Sequence, residues 1–340
     1  MDSLTQIVLG ASVGEATCGK KIGNKALVWG AVAGTIPDLD VVLGPFQDMV
    51  QYLSYHRSFS HSILFAVLMG PLFGWIFTKI FPKSLANFKD WSLLFFFGFL
   101  THALLDTCTT WGTQLLFPFS NYGYALYNIF VIDPFYTVPF LLLVVLAAFY
   151  KRTSQLRRRI NYIALSISTA YLIASFINQK IADSAFEKAL AKKGIEYESY
   201  INKATPLNII LWSVTVKSGQ GYYFAYYSLF DNPDDIEFDY MPANHQLLKK
   251  YRGHPKLERL IEITKGYYTV ESKNEELVIN DLRFGQFNGW QKNSDGNFVF
   301  KYHIKENSNN ELTFTQRNYR FMPDRDYLVA YVNRIAGNTQ

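Results

Sequence analysis

The chain has 340 residues, room for two domains, with 49% hydrophobic residues, two cysteines and a formal net charge of +5. From Lys180 onward lie 21 of the 33 Lys and Arg and 20 of the 28 Asp and Glu, so a composition break separates a membrane half, about residues 1–180, from a soluble half, about 181–340. Charge argues against a nucleic-acid partner, since Lys151 to Arg159 is the single densely basic run, and Cys18 and Cys108 are too few for a disulfide framework.

The N-terminus carries Asp2 and Glu15 and lacks the basic start of a removable signal peptide. Residues 3–19 are small and Gly-rich, and residues 26–44 contain Pro37 with Asp38 and Asp40. Small residues allow close helix approach in a bilayer, so these two stretches are expected to pack on other helices as full, partial or re-entrant spans. Four more stretches, about 62–82, 91–117, 130–150 and 160–179, are each long enough to cross ~30 Å of hydrocarbon. Asp133-Pro134 reads as a helix start. The linkers about 19–25, 79–90 and 151–159 hold Lys20, Lys21, Lys25, Lys79, Lys83, Lys89, Lys151, Arg152 and Arg157 to Arg159, whereas 45–61 and 118–129 hold only Arg57. The positive-inside rule then makes the first group cytoplasmic and turns both chain ends, the polar domain included, outward.

Ionisable groups inside such apolar segments are costly and mark functional sites. His102 and Asp106 are four apart and share a helix face. Asp38-Leu-Asp40 follows a helix-disrupting proline, and His61 adds an imidazole from a third segment. Two imidazoles and three carboxylates, from Asp38, Asp40, His61, His102 and Asp106, suit zinc or else manganese better than calcium. Such an ion lowers the pKa of a bound water toward ~7, and hydrolysis is its natural use. His56 is a candidate further ligand or general acid and base, and Arg57 a candidate clamp for an anionic group. Blander roles compete: Asp38 as a helix cap, His102 with Asp106 as a packing pair, His56 as an interface histidine and Arg57 as a headgroup anchor. Glu15 is either a further ligand or a partner of Lys20 or Lys21. His245, His254 and His303 stand apart in polar sequence and read as solvated surface.

Met1-Asp-Ser-Leu-Thr, Gly34-Thr-Ile-Pro-Asp-Leu-Asp40, His56-Arg-Ser-Phe-Ser-His-Ser62 and Thr101-His-Ala-Leu-Leu-Asp106 resemble, in order and spacing, the YdjM-like family of membrane-bound metal-dependent hydrolases over about residues 1–150. The resemblance implies a bacterial inner-membrane protein with a metal site at these aspartates and histidines. Many members of that family carry Thr-His where this chain has Thr5-Gln6, and glutamine is a poor zinc ligand.

In the polar half, residues 181–193 have helical spacing and are followed by Gly194, so the last span is expected to run on into a further helix. Strand-like runs follow at 209–216, 221–229, 266–271, 276–282, 298–304 and 311–316, separated by turn signals at 217–221, 231–235 and 293–297. An antiparallel sheet with a helix near 244–264 is expected, the aromatic run Tyr222 to Tyr227 forming strand and sheet face. The fold class is thus an α-helical polytopic membrane domain followed by a soluble α+β domain expected to cover or feed the membrane site. The leading expectation is hydrolysis of an ester or phosphoester in a membrane lipid or lipid-linked substrate. A metal-ion carrier or sensor and a non-enzymatic scaffold are the alternatives.

Overall fold

Asp2 opens the first helix, α1 (Ser3–Ile22), by accepting the Thr5 N–H, and Gly23, at φ +62°, turns the chain directly into α2 (Asn24–Thr35). The two run antiparallel along a seam of Gly10, Gly14, Gly30 and Gly34. A Cβ on Gly10 would lie 2.3 Å from the Gly30 carbonyl oxygen and one on Gly34 2.4 Å from that of Gln6, so only glycine lets these backbones meet. Pro37 cannot donate to the carbonyl four residues back, and the chain tightens into a 3-10 helix over Ile36–Phe46. The computed structural model describes residues 1–273, 276–291, 296–306, 311–317 and 322–338. Two units separate within it, one of Met1–Pro45, Tyr55–Phe176 and Pro206–Asn208, the other of Phe46–Ser54, Ile177–Thr205 and Ile209–Gln340.

After the short α3 (Met49–Tyr55), Ser62 caps α4 (Ile63–Ile80), and an Asn87/Asp90 capping box starts α5 (Phe88–Thr107). Phe65, Phe77, Trp91, Phe95 and Phe99 form one core of this unit. The sequence suggests a span reaching residue 117, but α5 stops at Thr107: the Thr109 hydroxyl donates to the Asp106 carbonyl at 2.8 Å and Gly112, at φ +97°, bends the chain away. Asp133 caps α6 (Pro134–Ala148), as the Asp-Pro pair implies. The final span and the helix expected after it are one helix, α7 (Gln155–Lys192), ~57 Å long at 1.5 Å per residue.

Residues Arg157, Asn161, Ser168, Tyr171 and Ser175 recur on α7 at helical spacing, and each finds a partner inside the first unit: Glu15, Ser12, Tyr136, Asp133 and Asn128 respectively. Polar side chains bonded across helices hold such bundles together. Where the sequence suggests six spans, three segments among the described residues are long and apolar enough to cross a membrane: Asn24–Phe46, Ile63–Ile80 and Gln155–Lys192. α6 is apolar but shorter.

The second unit is α+β, with two antiparallel four-stranded sheets where one is expected. The first orders β1 (Ser199–Ala204), β2 (Leu211–Ser218), β3 (Gly221–Ser228) and β4 (Asp239–Pro242) as a meander, and the second does the same with β5 (Tyr268–Lys273), β6 (Glu276–Asp281), β7 (Lys301–Glu306) and β8 (Leu312–Gln316). β2 is buried from Leu211 to Val216 without alternation. The Phe186 ring meets Tyr227 of β3, and Lys203 and Thr215 reach backbone carbonyls of Arg283 and Leu282 beyond β6. The helix expected near 244–264 is a 3-10 helix, His245–Tyr251, and α8 (Pro255–Ile263), parted by Gly253 at φ +83°. A last helix, α9 (Arg325–Ile335), is capped by Asp324. The turn expected at 293–297 falls largely on residues outside the described ones. Residues 46–54 belong to this unit, where Lys256 pairs with Asp48 at 3.0 Å and Arg259 Nε donates to the Ser54 hydroxyl at 3.1 Å.

Candidate metal centre

Three local devices bring distant residues of the first unit together. The glycine seam sets α2 against α1, and the 3-10 helix after Thr35 carries Asp38. Arg57, in the left-handed region at φ +57°, reverses the chain into a turn, Phe59–His61, that leaves His61 just before α4. His102 and Asp106 occupy one face of the last turns of α5.

Four side chains meet there: Asp38, His61, His102 and Asp106, with ligand atoms all within 4.8 Å of one another. His61 Nε2 lies 3.2 Å from His102 Nε2, 3.3 Å from Asp38 Oδ1 and 3.3 Å from Asp106 Oδ2. His102 Nε2 lies 3.5 Å from Asp38 Oδ1 and 3.7 Å from Asp106 Oδ2. Four donors at ~2.0–2.1 Å from a common tetrahedral centre would stand about 3.3 Å apart, close to these five separations.

The imidazoles are turned for that purpose. His102 Nδ1 donates to the Gly34 carbonyl at 2.7 Å, which leaves the Nε2 lone pair facing the cluster, and His61 Nδ1 faces the Ser60 hydroxyl at 3.0 Å. A hydrogen bond to the far nitrogen is how a ligating histidine is held. Asp106 is fully buried, and its Oδ2 accepts no hydrogen bond; Arg57 Nε is 3.0 Å away, but its N–H does not point along that line. A buried carboxylate oxygen without a donor, beside the Nε2 atoms of two imidazoles, fits a cation.

Asp40 lies outside this group. Its Oδ1 accepts from His56 Nδ1 at 3.3 Å and its Oδ2 from the Arg57 N–H at 2.8 Å. A 3-10 helix turns ~120° per residue, so positions 38 and 40 point to different sides. His56 also packs edge-on against Trp111. Arg57 is buried rather than reaching for a membrane surface, and its NH1 donates to Thr109. Glu15 is far from the cluster along α1 and is held by both Nε and NH2 of Arg157, at 2.7 and 2.6 Å, and not by Lys20 or Lys21.

Two groups at the start of the chain support the cluster. Gln6 Nε2 donates to Asp106 Oδ1 at 2.9 Å, while its own Oε1 is buried without a partner. The amine of Met1 also contacts Asp106 Oδ1. The resemblance points to position 6, where many members of that family carry histidine, and Gln6 meets the cluster through Asp106 and not as one of the four donors. Of the three other histidines, His245 donates to the Tyr268 carbonyl and His303 meets Glu276, so both have partners instead of standing free on a surface.

Residues 1–182 match the family described as YdjM inner membrane protein. A protein of Bacillus subtilis (strain 168) described as "Uncharacterized protein YfhP" is 29% identical over 143 residues, which cover 40% of this chain and 42% of that protein. The match thus takes in less than half of that relative's length. No solved structure matches the chain.

Proposed function

The chain belongs to the YdjM inner membrane protein family, and from that premise we propose that it is a membrane-embedded, metal-dependent hydrolase acting on an ester or phosphoester of a lipid or lipid-linked substrate. The observation that carries this reading is the meeting of His61, His102, Asp38 and Asp106, with ligand atoms within 4.8 Å of one another and both imidazole Nε2 atoms turned inward. Zinc suits this set best and manganese next. When bound, the ion supplies Lewis acidity toward an ester oxygen and acidifies water.

The chain's own residues do the rest. Gly34 and Ser60 hold the two rings. Arg57 sets a guanidinium beside the cluster, where it can draw in a phosphate or carboxylate group. His56, half-buried, is bonded to Asp40 on the Nδ1 side of His61, away from the four donors, so its part in the reading is to hold that segment and not to move the proton. Access supports an amphiphilic substrate: the Asp38 side chain is 23% exposed while those of the other three donors are fully buried. The 3-10 helix around it exposes Leu39, Val41, Val42 and Leu43, a flank suited to acyl chains.

A multi-pass topology with the cluster near the outer leaflet is part of the proposal. The basic helix ends gather at one end of the first unit, where Lys21 pairs with Asp90 and Arg152 donates to the Lys21 carbonyl. Gln6 and Lys20 are 14 residues apart on α1, ~21 Å, so the cluster lies toward the opposite end. The positive-inside rule then turns the cluster and the C-terminal unit outward.

A metal carrier or sensor is a second reading, favoured by the presence of four protein donors, because catalytic zinc sites usually keep one position open. Elemental analysis of the purified full-length protein beside Asp38→Ala and His102→Ala tests the site: about one equivalent of zinc or manganese in the wild type and a loss in both variants is expected. Equal metal in all three would refute it. Cleavage of a phospholipid or acyl ester in vesicles, absent in both variants, separates the enzyme from the carrier, which would instead move zinc across the vesicle wall.

A further inference from the structure

Asp40 stands two residues from Asp38, yet it approaches His61 from behind. Its Oδ2 is 3.8 Å from His61 Nδ1, the ring nitrogen turned away from the cluster, whereas Asp38, His102 and Asp106 all face Nε2. The two nitrogens of an imidazole direct their lone pairs apart, so one ion cannot take Nε2 of His61 and a carboxylate on the Nδ1 side together. Both Asp40 oxygens are also engaged: Oδ1 accepts from His56 and Oδ2 from the Arg57 N–H. We propose that Asp40 is a positioning residue and not a ligand: from outside the cluster it fixes the His56–His61 segment, and through Arg57 the approach to Asp106. This assignment rests on the metal site proposed above.

Residue 57 is an arginine in the left-handed region, a conformation that side chains other than Gly, Asn and Asp seldom adopt, and it needs local support. Asp40 supplies part of it at the Arg57 N–H, and Gln114 donates to the Arg57 carbonyl at 2.9 Å. The backbone so held sends the guanidinium to within 3.0 Å of Asp106 Oδ2, the oxygen that faces both imidazoles. The negative charge of Asp40 on the Nδ1 side of His61 also favours the tautomer with its proton there, which keeps Nε2 free for a cation.

The test compares Asp40→Asn with Asp38→Asn in the full-length protein. The asparagine oxygen still accepts the Arg57 N–H, so the fold is kept, but the carboxylate charge and one acceptor are gone. We expect Asp40→Asn to retain one equivalent of zinc with an affinity 10- to 100-fold weaker in competition with a chromophoric chelator, as for outer partners of other metal sites. Its cobalt-substituted form should keep the wild-type ligand-field spectrum, while the ¹⁵N resonance of His61 Nδ1 shifts. Asp38→Asn should lose the ion or change the cobalt spectrum. Loss of zinc from Asp40→Asn as complete as from Asp38→Asn, an altered cobalt spectrum, or two equivalents in the wild type falling to one would make Asp40 a ligand and overturn the assignment. Unchanged affinity would overturn it too. A wild-type protein that binds no zinc or cobalt removes the site itself, and Asp40's role with it.

Discussion

Gly30→Ala should damage the cluster without touching any of its side chains. A Cβ at position 30 would lie 2.2 Å from the Gly10 carbonyl oxygen and 2.8 Å from Gly14 Cα, both backbone atoms that cannot swing aside. Restoring an ordinary carbon–oxygen contact of about 3.3 Å requires α1 and α2 to part by roughly 1 Å. Overpacking of this kind costs about 1–3 kcal/mol, which for a unit of this size lowers the melting temperature by several degrees. Further along α2, Gly34 holds His102 Nδ1 at 2.7 Å and the following turn carries Asp38. The same displacement would stretch that bond past hydrogen-bonding range and exceed by far the ~0.2 Å tolerance of a metal–ligand distance, so metal affinity should fall at least about tenfold. Thermal unfolding in detergent and zinc competition measure the two effects. Gly123→Ala, where the nearest atom would be 3.5 Å away, is the control and should change neither. A Gly30→Ala protein with wild-type melting temperature and zinc affinity would refute the idea that the seam sets the cluster.

Glu15→Gln leaves the buried Arg157 guanidinium uncompensated and should destabilise the helical unit by about 3–5 kcal/mol; adding Arg157→Met should recover most of that, and a double variant no better than the single one would contradict it. In the C-terminal unit, burial pushes the Lys203 amine down to about 7 and that of Lys265 to about 8. Unfolded lysines hold their protons to ~10.4, so the unfolded chain binds more protons above pH 7, and stability of this unit should rise between about pH 7 and 9. Denaturant unfolding of the full-length protein at the two pH values checks this. Lys203→Met should flatten the rise, and a wild type with no rise would count against the buried amine.

How far the sequence reveals the site depends on what each residue costs where it lies. Asp38, His61, His102 and Asp106 stand out because carboxylates and imidazoles in apolar segments need partners, and here they find one another. Asp-x-Asp spacing alone cannot say which aspartate faces inward, since that turns on whether the backbone winds at 3.0 or 3.6 residues per turn. Glu15 finds its partner 142 residues away, beyond any local reading that offers Lys20 and Lys21. Caps at Ser62 and Asp133 follow from short side chains next to apolar runs. α9 carries the same signal in Asp324, ahead of Tyr327, Leu328 and Val329, but the strands β1 and β4 carry none: β1 is Ser-Tyr-Ile-Asn-Lys-Ala, and β2 has no alternation because both of its faces are covered.

Hydropathy and packing part company most clearly at α1. Its glycines meet α2, Ser12 and Glu15 meet α7, Thr5 meets Thr137 of α6, and Gln6 meets the end of α5. A helix with protein on several sides has little use for an apolar surface, and interhelical hydrogen bonds and backbone contact replace it. α1 exposes Leu4 and Ile7, whereas large exposed apolar side chains are more numerous on other helices: Val67, Leu68, Leu72 and Trp75 on α4, Leu142, Val145 and Leu146 on α6, and Ile163, Ile167 and Ile173 on α7. Ile63–Ile80 and Gln155–Lys192 are accordingly long and apolar enough to cross a membrane, while α1 is not among such segments. The same burial brings the first turn of α1 against Asp106, where Gln6 and the Met1 amine meet the metal centre.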